Sequence, residues 1–303
     1  MNNWHRTMRP IVLALILTAG RSLAGTPELN PNPTTSATPA TDLTLSNFFT
    51  EGWNQPYTFR QSLPDGAPDL ALLRSVTNFL VRVSRTDFSY ADNLGKSPTK
   101  DVPFVDEYID YAFNQRFMLS LFGDYTWVNQ RSAADLDGAG GGAQFRFQLV
   151  DTPTASYDFN FRIDLPDTGI DDHLTKFSTA LSGWQDLSQL HAGRLGIYYD
   201  LIEESYAGPA APGVVRNDMA YDVSFAETWT KPSAPIGNLS TFVEFAGSTN
   251  VDGDRRNISA LTATPGLQFV FGGRNLLILG VDLPLTHPSD TRDVYRFTYI
   301  YCF

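Results

Sequence analysis

The closing run Val294-Tyr295-Arg296-Phe297-Thr298-Tyr299-Ile300-Tyr301-Cys302-Phe303 decides how this chain is read. Tyr295, Phe297, Tyr299, Tyr301 and Phe303 occupy every second position without a break. A period of two is a β-strand with one apolar face. Five large rings on one exposed side of a strand in water would invite edge pairing and aggregation. At the boundary between lipid and water the same rings are at home. The competing reading is an edge strand of a secreted β-sandwich, so the rest of the chain has to decide.

The first residues speak for export. Arg6 and Arg9 form a positive start, Ile11 to Ala19 is an apolar core too short to span a bilayer, and Ser22-Leu23-Ala24 is a small-x-small cleavage site. Residues 1–24 therefore read as a signal peptide. Residues 25–41 hold four prolines and five threonines with almost no apolar residue, which predicts a disordered linker. Removing Arg6, Arg9 and Arg21 with the signal leaves 19 basic residues against 33 acidic, a formal charge of −14. That excludes nucleic acid as an expected partner, since such binders present basic patches.

Hydrophobic content is an ordinary 42%, and no run of 18 apolar residues follows position 24. Aromatics nevertheless reach 13%, with 21 Phe and 13 Tyr. A barrel wall needs apolar residues only at alternate positions, so it looks average by composition. Cys302 is the only cysteine, and His173, His191 and His287 stand far apart in the chain. No intrachain disulfide and no Cys/His metal site is expected, nor any cofactor.

Alternating segments can be counted from residue 71 onward. Strands are expected near 74–88, 104–114, 116–128, 142–151, 156–166, 175–184, 193–203, 218–230, 238–248, 258–272, 276–285 and 293–303. Twelve is an even number, as a closed bacterial barrel requires. The fold expected is all-β: one closed antiparallel transmembrane barrel over residues 71–303. A strand ending on a terminal Phe, with aromatics at alternate places before it, resembles the C-terminal signal of bacterial outer-membrane β-barrels. That resemblance implies a cell outer-membrane location, contact with outer-membrane lipids, and recognition of Tyr299, Tyr301 and Phe303 by the barrel-assembly machinery. With both chain ends in the periplasm, the links 114–116, 151–155, 185–192, 231–237 and 272–274 fall inside. They are shorter on average than the outer links, the asymmetry such barrels show.

The strand faces supply a candidate lumen. Tyr157, Phe159, Phe161, Ile163 and Leu165 alternate with Asp158, Asn160, Arg162 and Asp164. Phe145, Phe147 and Leu149 alternate with Gln144, Arg146 and Gln148. With lipid outside, the polar faces collect Arg82, Arg146, Arg162, Lys176, Arg194 and Arg296. Against them stand Asp110, Asp124, Asp158, Asp164, Asp200, Asp222, Glu244 and Asp282. The signs nearly balance, which predicts cross-strand ion pairs and a mild cation preference. Two details fit badly. Glu227 falls on the lipid-facing register unless a bulge at Ala226 turns it inward, and Pro265 predicts a bulge or kink.

Residues 42–70 carry Phe48, Phe49, Trp53, Tyr57 and Phe59, too many rings to leave in water. They are expected to form a plug or cap at the periplasmic mouth, with Phe48, Phe49 and Trp53 as its anchors. Docking on the inner leaflet or against the first strand is the alternative. Catalytic signals are weak. His287-Pro288-Ser289-Asp290 has the His and Ser spacing of an outer-membrane lipid hydrolase, but its Pro and Asp mark a turn. His173 beside Asp171 and Asp172 is one acidic cluster in a loop. Asp135–Gly142 and Asn250–Asp254 resemble calcium loops without the closing Glu. No enzyme activity is expected.

Within the barrel class, three stretches resemble a family of outer-membrane transporters labelled as belonging to the MetA-pathway of phenol degradation. They are Asn47–Trp53, Gly141–Asp151, and Thr264-Pro265-Gly266-Leu267 running on to Gly280–Pro284. The resemblance implies passage of a small solute and assigns no residue roles. The expected function is therefore a channel or facilitated transporter with a polar lumen. A non-conducting structural or surface-binding barrel is the alternative.

Overall fold

The computed structural model describes residues 41–59, 63, 65–91, 100–130, 136–168, 174–190, 193–208, 217–230, 238–252, 259–271, 274–286 and 293–303. The expected signal peptide, the expected linker up to residue 40, His173 with its acidic neighbours, His191 and residues 287–290 lie outside them. Twelve strands close a barrel in which each pairs antiparallel with its neighbours in sequence, and the last pairs the first. They are β1 Arg82–Ala91, β2 Lys100–Ala112, β3 Phe117–Gln130, β4 Leu136–Thr152, β5 Ala155–Thr168 and β6 Thr175–Asp186. The circuit continues with β7 Arg194–Ala207, β8 Asn217–Thr228, β9 Leu239–Asn250, β10 Ser259–Phe271, β11 Asn275–Pro284 and β12 Val294–Cys302. Closure gives the first and last strands a partner each and leaves no open edge.

The two faces divide as a lipid-embedded wall requires. Tyr295, Phe297, Tyr299 and Tyr301 lie opposite Tyr90, Phe88, Thr86 and Ser84 of β1 on the outer face. Ile109, Leu121, Leu181 and Leu201 share the outward parity of their strands, each more than half exposed. The inward parity carries the polar side chains, so the interior is the wet face and the exterior the apolar one. Asp158, Ser224, Ser240, Glu244 and Thr264 are fully buried there.

The largest difference from the sequence reading is at β1. It begins at Arg82, eight residues later than the alternation suggests. Residues 67–81 run inside the barrel, where their N–H groups meet lumen carboxylates in place of a neighbouring strand. Leu70, Ala71, Leu72 and Leu73 pack there with Leu80, Val81, Met118, Trp184, Tyr198, Phe242 and Ile278 into the apolar core of the molecule. Segment and strands belong to one compact unit. Gly280 leaves room for this packing, since a Cβ at that position would stand 2.4 Å from Leu73 Cδ1.

Two local expectations are corrected. β8 keeps one register against both neighbours, so no bulge forms at Ala226. Ala226 is buried and Glu227 stays on the outward parity, one residue from the end of the strand, where a charge reaches the membrane rim. Pro265 also leaves the register unshifted. It breaks only the pairing of Thr264 and Pro265 with β11, while pairing with β9 runs through. Losing one N–H donor interrupts one ladder and needs no bulge. The register shifts that do occur lie between β4 and β5, at Ala139/Gly141 and Gln148/Val150.

Candidate functional site: a lumen occupied by its own chain

The carboxylates of β7, β8 and β9 hold the lumen segment through its backbone. Glu244 accepts the N–H groups of Leu73, Arg74 and Ser75 at 3.2, 3.0 and 3.0 Å. Asp200 accepts Val76 N–H at 2.7 Å. Ser75 donates its hydroxyl to Asp222 at 2.6 Å, with Ser224 Oγ 2.8 Å away. These carboxylates are almost entirely buried, and such a charge persists only where hydrogen bonds replace its water. Asp200 and Asp222 also lie directly opposite each other across the β7–β8 ladder. Two like charges at that spacing repel, and the donors of the segment offset the repulsion.

The carbonyls of the segment meet wall donors in the same way. Arg194 donates to Gly66 O at 2.7 Å, Tyr198 to Pro68 O at 2.7 Å and Arg85 to Leu72 O at 3.2 Å. Ser156 donates to Asn78 O at 2.6 Å and Arg146 to Phe79 O at 2.9 Å. Ala67 N–H reaches Asp186 at 3.0 Å. The segment contributes one cation, Arg74, which lies 3.2 Å from Asp282, and Arg296 approaches the same oxygen at 2.8 Å. Burial pushes the Asp69 carboxyl well above the usual carboxylate range, and the nearby Asp151 and Asp158 add to the effect.

Of the residues assigned to the lumen from sequence, all but Arg82 lie on the inward parity. Asp158 pairs with Arg146 at 3.4 Å, and Arg162 donates to Asp164 at 3.0 Å. Lys176 bridges Glu204 at 3.2 Å and Asp164 at 4.0 Å. Asp110 and Asp124 point inward from β2 and β3, and Arg194 lies at the end where β12 finishes. Arg82 is the correction. It shares the outward parity of Ser84 and Phe88, and its guanidinium covers the rings of Tyr111 and Tyr57 at 4.6 and 5.1 Å. Residues 74–81 are not strand, so parity cannot be carried through them to Arg82.

Inward charged residues that escape the sequence reading include Arg85, Asp87, Asp106, Asp186, Glu204 and Asp218. Asp106 stands four positions before Asp110 on one strand, so parity alone places it inside. With these added and Arg82 removed, lumen acids outnumber bases more clearly than the near balance expected. Among the described residues no group of three acids, histidines or cysteines is arranged to hold a metal ion.

The aromatic anchors expected in the mouth sit elsewhere. Phe48 packs edge-on against Phe49 and Trp53 at 5.1 and 5.5 Å, and Trp53 reaches Phe147 on the outward face of β4 at 6.5 Å. Phe49 is 89% exposed. Their hub is Arg116, in the short turn between β2 and β3. It is fully buried, sits 5.1 Å from the centre of the Phe48 ring, and donates to Glu51 O at 2.9 Å and Asn47 Oδ1 at 2.7 Å. Leu43 extends the contact by bridging Asp151. The rings therefore clasp the rim from outside, and the plugging is done by the less aromatic residues 67–81.

Beyond the segment, away from the end where β12 finishes, a cavity of about 450 Å³ opens. Its wall includes Arg74, Ser75, Arg85, Asp106, Tyr108, Asp110, Arg162, Asp222 and Arg296.

Comparison with known proteins supports the architecture. No family model and no curated relative matches this chain. Among solved structures, the COG4313 outer membrane channel from Pseudomonas putida F1 aligns over 76% of this chain and 97% of its own, at 10% identity and a TM-score of 0.53. The beta domain of the Bordetella autotransporter BrkA aligns over 73% of this chain and 99% of its own, at 10% identity and 0.51. The NanC porin aligns over 74% and 99%, at 8% identity and 0.48. An outer membrane channel and the beta domain of an autotransporter thus share this architecture. The chain has the closed, lipid-facing fold of outer-membrane β-barrels.

Proposed function

We propose that this protein is an outer-membrane channel for small solutes whose lumen is closed at rest by residues 67–81 of its own chain. One observation carries this reading. The segment is bound by polar contacts to a charged lumen wall, through its backbone, and leaves a polar cavity on one side. A wall meant only to be solid would be filled by apolar side chains, because a packed core avoids buried charge. A wall lined with carboxylates and arginines is suited to water and solute once the segment leaves. The end where β12 finishes would face the periplasm, as the short turns there favour. The stretches 47–53, 141–151 and 264–284, which resemble transporters of the MetA-pathway label, support passage of a small solute.

Planar-bilayer recording of the full mature chain is the test. Brief openings separated by long closures are expected. A correctly folded barrel, identified by heat-modifiable migration, that stays silent under all voltages would remove the channel reading. It would favour the second one, a permanently closed structural barrel, which the density of hydrogen bonds around 67–81 also suits.

A further inference from the structure

The cavity beyond the lumen segment has walls of both signs, but its bases are already engaged. Arg85 donates to Asp87 at 2.9 and 2.8 Å, and Arg162 donates to Asp164 at 3.0 Å. Arg296 and Arg74 share Asp282. Two wall carboxylates differ. Asp110 is 8% exposed, faces the cavity, and accepts no hydrogen bond from any described residue. Asp106, on the same inward face of β2, lies directly opposite Asp87 on one side and Asp124 on the other. Three carboxylates in one row across adjacent strands repel one another. A cation entering the cavity relieves that repulsion and meets two acids that have no ion pair among the described residues.

The spacing narrows the class of cation. Asp106 and Asp110 are four residues apart on one strand, so their Cα atoms are separated by roughly 13 Å. Tyr108 stands between them on the same face and also lines the cavity. The wall therefore reads charge, ring, charge along one line, with the guanidinium of Arg85, already paired with Asp87, beside the ring at 5.9 Å. We infer that this cavity binds a linear polyamine-like cation with a positive group at each end, one end at Asp106 and the other at Asp110. The inference deepens the channel reading by naming a solute class, and it rests on that reading for the solute's passage but not for its binding.

Titration calorimetry of spermidine into the full mature chain in detergent micelles tests it. Saturable binding is expected, with propylamine, which has one charge, at least about tenfold weaker. The D106N/D110N double variant should weaken spermidine binding by a similar factor while keeping heat-modifiable migration. Should that variant fail to fold, D110N alone serves, with a smaller loss of the same sign. Glu107 lies between the two acids but on the outward face, bonded to Thr86 at 2.9 and 2.8 Å, and E107Q should bind spermidine like the parent. The proposal is overturned if folded protein shows no saturable binding, if glutarate binds as well as spermidine, or if E107Q loses as much as the double variant. Binding by a barrel that never conducts keeps the site and removes the channel. Conductance without binding keeps the channel and overturns the site.

Discussion

The two halves of the N-terminal stretch meet the barrel by opposite means. Residues 43–53 bring rings and clasp the outside of the rim around one buried arginine, while Tyr57 donates to Leu80 O at 3.1 Å and Phe59 packs edge-on against Phe79 of the lumen segment. Residues 67–81 bring few rings and bind the inside, with backbone groups against charged side chains of distant strands. The first attachment can be suspected from composition, because aromatic residues need a dry surface. The second is written in Glu244, Asp200 and Asp222, residues that sequence places in a wall and not at a docking site. The contrast teaches that an apolar anchor and a plug need not be the same residues, even when they are neighbours in the chain.

Breaking each attachment separately sharpens the contrast. Glu244→Ala removes the shared acceptor of three buried N–H groups. Hydrogen bonds to a charged group contribute about 1.5–3 kcal/mol each, and their loss leaves donors unpaired. Docking of the lumen segment should weaken by at least about 3 kcal/mol, more than a hundredfold in the closed-to-open ratio. Bilayer recording should find the variant open most of the time. Arg116→Ala acts on the other half. It removes the donors to Glu51, Asn47 and the carbonyls of Gln148 and Leu149, with a loss of about 2 kcal/mol of rim attachment. Quenching of Trp53 fluorescence by iodide should rise, while conductance stays near that of the parent. If Arg116→Ala opened the channel as far as Glu244→Ala, the two halves would act as one unit and the contrast would fail.

A smaller effect follows from Asp69. Its carboxyl is raised in the docked segment, so the docked state takes up a proton more readily than the released one. The contribution of a raised carboxylate is fully present below its ordinary value near 3.9 and is lost as pH rises through the raised value. Closure should therefore be tighter in acid and looser at neutral pH. Asp69→Asn removes that dependence and should make the closed fraction at neutral pH higher than in the parent. Open probability measured across the acidic to neutral range checks both statements, and an Asp69→Asn profile that overlays the parent contradicts them.

Much of the wall is legible in the sequence. β4, β5, β11 and β12 alternate cleanly, because lipid on one side and water on the other impose a period of two. Parity then places Asp158, Asp200, Asp222 and Glu244 inside. It fails at Arg82 for a definite reason: Leu72-Leu73 and Phe79-Leu80-Val81 are apolar runs that alternate poorly, and nothing local says they lie within a barrel. Their partners are distant in the chain, and the groups they offer are backbone amides and carbonyls, which carry no sequence signal. Asp106 is readable by parity from Asp110. The lateral row it forms with Asp87 and Asp124 is not, because strand register is set by turns and long-range pairing.

The proposed channel requires that residues 67–81 close the lumen and can leave it. Ser75 Oγ and Ser224 Oγ lie 2.8 Å apart, one on the segment and one on β8, which makes them a suitable pair for a reversible tether. In the S75C/S224C/C302S variant, a disulfide would fix the segment to the wall. Single-channel recording before and after reduction is the measurement. A silent channel is expected when the tether is oxidised, and openings like those of the parent once dithiothreitol is added. Equal conductance in the two states, with the disulfide verified by mass, would contradict it.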